Sequence, residues 1–278
     1  MTPYQDDPLA TYRPSLFAGC NAVVAGGTSG INLGIAKAIA ACGAKVAVIG
    51  RNAEKAEGAA QALRDIGPEA MALIADVRDF AAVDAAMAHA AQQLGPLDFV
   101  VAGAAGNFIA AADALSSNGF RTVTDIDLLG TFHTFKAARS RLREAGASLI
   151  AISSGQAFQP MWGQAHASAA KAGIESLVRT LALEWGPAGI RVNSLSPGPI
   201  AATEGVKRLV PQSRIDAIAS RLPVRRFGSA GEVGNAAVFL LSPAASFVTG
   251  MTLFCDGGMM LTPYDGQPDA GLVPETVR

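Results

Sequence analysis

Short runs of aliphatic and β-branched residues recur at Ala22–Ala25, Lys45–Ile49, Met71–Ala75, Leu97–Val101, Ser148–Ser153, Arg191–Leu195 and Met251–Phe254, and each predicts a strand. Longer alanine-rich segments lie between them with helical spacing: Ile31–Cys42, Asn52–Ile66, Phe80–Leu94, Phe120–Glu144 and Ala167–Gly186. Strands alternating with helices predict an α/β fold of three α/β/α layers, a doubly wound parallel sheet of about seven strands. No Pro/Ser-rich linker, low-complexity tract or internal repeat interrupts the alternation, so residues 16–260 are expected to form one domain. Residues 1–15 then read as an N-terminal arm and 261–278 as a loose C-terminal tail.

Composition narrows the partner. Of 278 residues 50% are hydrophobic and 16% charged, with a net charge of −1, so no basic surface points to nucleic acid or an anionic membrane. A small-molecule partner is the expectation. The three cysteines, Cys20, Cys42 and Cys255, are widely separated and lack neighbouring histidines, which fits neither a disulfide framework nor a zinc site, and no metal is expected. A reducing, cytoplasmic setting follows. The acidic N-terminus lacks an apolar core, and the hydrophobic stretch 22–49 is broken by glycines, Lys37 and Lys45, so neither an export signal nor a membrane span is expected.

The first predicted strand runs into Gly26-Gly27-Thr28-Ser29-Gly30-Ile31-Asn32-Leu33-Gly34 and then a helix. Glycines permit a tight turn and let backbone N–H groups from Gly26 and Thr28 through Ser29, Gly30 and Ile31 approach a pyrophosphate, which the positive end of the helix attracts. The turn therefore predicts a Rossmann-type dinucleotide site. About twenty residues on, a carboxylate closing the second strand would bind a ribose 2′-hydroxyl. Here the sequence reads Ile49-Gly50-Arg51-Asn52, with an arginine and no acid. Arg51, with Asn52 beside it, is expected to pair a 2′-phosphate, which makes NADP(H) the expected cofactor. Asp76, with Val77 at the end of the third strand, is placed to face the adenine ring.

The glycine turn, Ser154, Lys171, Ser196-Pro197-Gly198-Pro199-Ile200 and Asp256-Gly257-Gly258 together resemble the short-chain dehydrogenase/reductase family over residues 16–260. Ala104-Ala105-Gly106-Asn107-Phe108, Thr124-Asp125-Ile126-Asp127, Glu184-Trp185-Gly186-Pro187 and Thr203-Glu204-Gly205 resemble the 2,4-dienoyl-CoA reductases, especially the peroxisomal type. The resemblance implies an oxidoreductase of fatty-acid metabolism with an acyl-CoA substrate and a homotetrameric assembly, and it places Pro197, Gly198 and Ile200 against the cofactor. The broader family uses a serine, a tyrosine and a lysine, the last two one helical turn apart. Ser154 and Lys171 match, but Ala167 occupies the tyrosine position, and Gln156 stands where some dienoyl-CoA reductases carry another tyrosine.

An alanine has no proton to give, so the implied reaction is hydride transfer to the far end of a conjugated dienoyl thioester, followed by protonation of the dienolate at its α-carbon. Such chemistry leans on oxyanion stabilisation, where one preorganised donor contributes roughly 3–4 kcal/mol in favourable cases. Asn107 is the leading candidate, because its amide donates without titrating. Lys171 is expected to bond the nicotinamide ribose, and Asp127 to pair with Lys171 and either deliver the proton or position a water. The resemblance assigns Arg78, Phe108 and Ser116 to the acyl-CoA. Lys207, Arg208, Arg214 and Arg221 fall in a segment, Ala201–Leu222, readable as a lid or as a solvated helix face.

One helical step turns a side chain by about 100°, so His166 is expected to point away from the face bearing Lys171, with an interface or structural role. His89 and His133 read as structural. Two departures from the family stand out: Asn32 replaces the third glycine of the turn, and Ala102-Gly103 replaces an asparagine pair, the first of which usually braces the central sheet. Rival readings are a reductase of another carbonyl or conjugated compound, working through Ser154, Lys171 and a water on Asp127, and a cofactor-binding sensor or subunit with little catalysis.

Overall fold

Seven strands, β1 (Asn21–Ala25), β2 (Lys45–Gly50), β3 (Ala70–Ile74), β4 (Phe99–Ala102), β5 (Ser148–Ile152), β6 (Arg191–Pro197) and β7 (Thr252–Cys255), form one sheet in the order β3-β2-β1-β4-β5-β6-β7. Every pairing is parallel. The computed structural model describes residues 11–203 and 212–262. The lid cations Lys207 and Arg208, the first ten residues of the N-terminal arm and all of the tail after Thr262 lie outside the described residues.

β1, β4 and β5 are buried along their whole length, which is why they read as apolar runs once the buried Asn21 and Ser148 that open β1 and β5 are set aside: crossover helices cover both faces of a parallel sheet. On one face Val24, Val46, Val48 and Ile150 meet α1 (Gly30–Ala41) and the helix Ala230–Leu241. On the other, Val23, Ala47, Val100 and Leu149 pack with α3 (Phe80–Leu94) and residues of Gly130–Ala138 and Ala165–Trp185. Each fully buried Val, Ile or Leu contributes roughly 1.5–3 kcal/mol. Among the described residues the remaining α-helices are α2 (Ala53–Arg64), α4 (Ser117–Thr124), α5 (Gly130–Ala138), α6 (Ala165–Trp185), α7 (Ile215–Arg221) and α8 (Ala230–Leu241). Among the described residues no helix is long and apolar enough to cross a membrane.

Two elements differ from the expectation. The helix expected over 120–144 starts earlier, as α4, passes through a π turn at Asp125–Leu129, continues as α5 and closes in a short 3₁₀ turn at Arg139–Arg141. Leu142 is extended and bridges to Leu97, which ends the helix and leads the chain towards β5. The second is α8, which Gly231 and Gly234 conceal from a periodicity reading. Its start is nonetheless encoded, because Ser229 and Glu232 form a reciprocal capping box.

The three cysteines are free thiols. Burial pushes Cys42 and Cys255 up to about 11 and also raises Cys20. A folded pKa above the unfolded one holds the neutral form, so this contribution to stability is complete below pH 9 and is lost as pH rises through about 11. Thiol titration at pH 8 is expected to be slow in the folded protein and fast in denaturant; equal rates would contradict the burial.

Candidate active site

Strand order reverses between β1 and β4, and in an open α/β sheet the crevice at such a switch point lies beyond the carboxyl ends of the strands. A cleft of about 430 Å³ opens there, lined by Gly26, Thr28, Ser29, Arg51, Asp76 and Asn107 among others. Gly26 has φ +77°, and a Cβ on it would stand 2.7 Å from the Ala104 nitrogen, so this turn admits no side chain. Side chains cap α2, α3, α4 and α8, through Asn52, Asp79, Ser116 and Ser229, whereas Ser29 makes no such bond at α1. The first N–H groups of α1 are thereby left for an anion at the positive end of the helix. These features fit a dinucleotide pyrophosphate.

At the other end of the cleft the Arg51 guanidinium stands 3.8 Å from the Asp76 carboxylate. Lys55 lines the same rim, a cation the sequence reading passed over although it stands only four residues after Arg51. Asn52 is committed elsewhere, its Oδ1 accepting from the Lys55 amide at 2.8 Å to cap α2. Arg78 grips Asp76 with two nitrogens, Nε to Oδ1 at 3.0 Å and Nη2 to Oδ2 at 2.6 Å. That hydrogen bonding, helped by the charge of Arg51, holds the Asp76 carboxyl below the usual carboxylate range. Val77 lines the cleft, and its carbonyl meets Nδ1 of His133 at 2.9 Å. Pro197 ends β6, Gly198 packs against the backbone of Asp256, and Ile200 is buried. Thr203 then brings the chain against the Gly30 turn, with Ile31 just inside α1.

Deeper in, Asp127 sits in the π turn, 2% exposed. Its Oδ1 accepts from the Gly106 amide at 2.8 Å and its Oδ2 lies 3.0 Å from Lys171 Nζ. Lys171 also donates to the Ile152 carbonyl at 2.9 Å, which leaves one of its three N–H bonds for a ribose hydroxyl or a water. The ion pair thus ties the β4–α4 loop, the π turn, α6 and the end of β5 into one unit. π turns inside α-helices are rare and concentrate at functional sites. Asn107 follows Gly106, its Oδ1 buried without a partner and its carboxamide unbonded to any described residue. Ser154 follows β5 by two residues and caps the short 3₁₀ turn Gly155–Ala157, its hydroxyl accepting from the Gln156 amide at 3.4 Å. Ala167 is buried on α6 one turn before Lys171.

Asn107, Asp127 and Lys171 are therefore brought together, whereas Ser116 caps α4 by accepting from Gly119 at 3.0 Å and lines a separate groove with Phe120 and Arg121. Phe108 lays its ring on that of His166, centroids 4.4 Å apart. An interface role for His166 is ruled out, because the residue is 0% exposed within its own chain. Burial pushes its pKa below the ordinary histidine value, with the Phe108 carbonyl and the Asp127 charge opposing in part. No group of His, Cys, Asp and Glu among the described residues is arranged to hold a metal ion.

The family model described as enoyl-(acyl carrier protein) reductase matches residues 25–260. The chain belongs to the short-chain dehydrogenase/reductase family. It is 40% identical over 253 residues to the peroxisomal 2,4-dienoyl-CoA reductase of Saccharomyces cerevisiae, covering 90% of this chain and 87% of that protein. Among solved structures it is similar to a citronellol catabolism dehydrogenase of Pseudomonas aeruginosa (TM-score 0.78, 35% identity, 89% of this chain and 97% of that one). A Burkholderia cenocepacia short-chain dehydrogenase in complex with NADP gives a TM-score of 0.82 at 29% identity, covering 87% of this chain and 98% of that one. The protein is accordingly a short-chain dehydrogenase/reductase, an oxidoreductase whose fold binds a nicotinamide cofactor.

The two departures from the short-chain dehydrogenase/reductase pattern turn out to be one exchange. Asn32 donates from Nδ2 to the Gly103 carbonyl at 2.6 Å, and a Cβ at Gly103 would fall 2.3 Å from Asn32 Oδ1. The side chain gained in the glycine turn fills the room given up at the end of β4. The bond joins α1 to the residue that follows β4, next to Ala102, where the bracing asparagine is absent.

Proposed function

We propose that this enzyme reduces 2,4-dienoyl-CoA thioesters with NADPH. The observation that carries this is the buried Asp127–Lys171 pair, kept intact one helical turn from Ala167, where the family's proton-donating tyrosine is absent. With no acid at that position, negative charge has to be held while carbon waits for its proton. Bound NADPH would supply a hydride to the δ-carbon of the diene. As the electron pair moves to the thioester oxygen, the Asn107 amide donates to that oxygen and the Lys171 ammonium favours the charge nearby. Asp127 orients a water, from which the α-carbon takes its proton to give a 3-enoyl thioester, and the Lys171 ammonium returns a proton to the hydroxide left behind before it is itself reprotonated from solvent. The similarity to the yeast enzyme supports this substrate class.

NADPH rather than NADH follows from Arg51 and Lys55 on a rim where β2 ends without an acid. Losing one charge-assisted bond of about 1.5–3 kcal/mol, Arg51→Ala is expected to raise the Kd for NADPH by about 10–100-fold and leave NADH little changed. Fluorescence titration with both cofactors checks it, and equal weakening of the two would refute the assignment.

The direct test supplies purified enzyme with NADPH and 2,4-hexadienoyl-CoA, following loss of NADPH absorbance and identifying the enoyl product. Tight NADPH binding without turnover would overturn the proposal. Asn107→Ala is expected to lower kcat by about 10²–10³-fold, the cost of one oxyanion donor, with NADPH affinity unchanged. A full rate in this variant would move the oxyanion site elsewhere.

A further inference from the structure

Asn107, the proposed oxyanion donor, is set between two anchors. On its N-terminal side the Gly106 amide is bound to Asp127. On its C-terminal side the hydrogen bonds of Phe108 and Ala110 lead to one short segment at the start of α6, while the edge of the Phe108 ring reaches Gly119 of α4. Gln164 Nε2 donates to the Phe108 carbonyl at 3.2 Å, the His166 ring lies against the Phe108 ring with centroids 4.4 Å apart, and the Ala110 amide donates to the Gly163 carbonyl at 3.0 Å. Gln164 is 4% exposed and His166 0%. Gln164 is itself steadied from the β5 side, its Oε1 accepting from Gln156 Nε2 at 3.3 Å.

Neither side chain serves the helix that it begins. Gln164 makes no side-chain cap for α6, although it occupies the capping position. The two His166 ring nitrogens are buried, and the polar group nearest them, the Phe108 carbonyl, stands outside hydrogen-bond geometry, so the imidazole costs stability that an apolar ring of the same shape would not. What the two share is Phe108: one holds its carbonyl and the other its ring. An unpaired carboxamide between two glycine- and alanine-rich stretches has no rigidity of its own, and an error of about 1 Å in a catalytic group costs on the order of 10²-fold in rate.

We propose that Gln164 and His166 are positioning residues that clamp Phe108 and thereby fix the Asn107 amide for the thioester oxygen. This rests on the reductase function proposed above for its kinetic consequence, but the clamp itself is measurable without substrate. In such a clamp the His166 ring acts through its face, so phenylalanine can replace it.

The experiment compares Gln164→Ala, Gln164→Leu, His166→Ala and His166→Phe in the full chain, measuring kcat and KM with 2,4-hexadienoyl-CoA, the Kd for NADPH, and amide hydrogen exchange of residues 106–110. Gln164→Leu keeps the volume but has no donor, so it isolates the bond to Phe108. In the two Gln164 variants and in His166→Ala, kcat is expected to fall about 10–100-fold with KM and NADPH affinity nearly unchanged. The Ala110 amide should exchange faster in the same variants, while His166→Phe keeps the wild-type rate and protection. Wild-type exchange in the Gln164 variants and in His166→Ala overturns the clamp, and so does a His166→Phe enzyme as impaired as His166→Ala, which would assign the imidazole nitrogens instead. If the wild type binds NADPH but does not turn over the dienoyl thioester, the reductase function fails, and the exchange data decide the clamp by themselves.

Discussion

Lys171→Met is expected to stop turnover and to destabilise the fold together. The substitution leaves Asp127, 2% exposed, with only the Gly106 amide as a partner and no counter-charge. Breaking a buried pair from one side costs about 3–5 kcal/mol, far more than the pair's net worth, because a charge stays behind without compensation. Adding Asp127→Asn removes that charge and should recover most of the stability while leaving the enzyme inactive. Denaturant unfolding of the two single variants and the double variant, beside initial rates, gives the comparison. A Lys171→Met protein with the wild-type unfolding midpoint would show that the pair is no constraint on the fold.

Gly103→Asn, which restores a residue type usual in the family, is expected to destabilise this chain by about 1–3 kcal/mol, as overpacking does in a filled interior. The new Cβ would overlap the Asn32 carboxamide and break its bond to the Gly103 carbonyl. Asn32→Gly alone loses the same bond and opens a gap. Both changes together should be less harmful than the sum of the two, a positive coupling that a double-mutant cycle measures from unfolding midpoints. Strict additivity would mean that the two positions departed from the family independently.

These residues also show what a sequence discloses. The sheet was legible because strands covered on both faces must be mostly apolar, as β4 is along its length and β1 and β5 are after Asn21 and Ser148. The cofactor turn was legible because the backbone at Gly26 excludes every other residue. Asn32 and Gly103 each looked like a defect, since nothing in a linear text shows that residues 71 apart occupy one volume. Asn52 stands beside Arg51 in sequence, yet its side chain serves the helix and not the cleft. For His166 the angular argument from Lys171 took no account of the 108–110 segment, which packs against the start of α6 and gives the ring a neighbour of the site. The groove beside Ser116 arises from the meeting of a loop and a helix, which periodicity does not describe.

The π turn at Asp125–Leu129 carries one residue more than an α-helical turn would need. Deleting Ile126 would let α4 and α5 join as a regular helix, and it would swing everything on one side of the join by about 100° and slide it by about 1.5 Å relative to the other. Asp127 could then no longer face both Gly106 and Lys171. Descent with a gap at this place would therefore trade the active site for a smoother helix, so a length alignment alone, without reading a single catalytic side chain, should separate relatives that have kept the chemistry from those that have given it up.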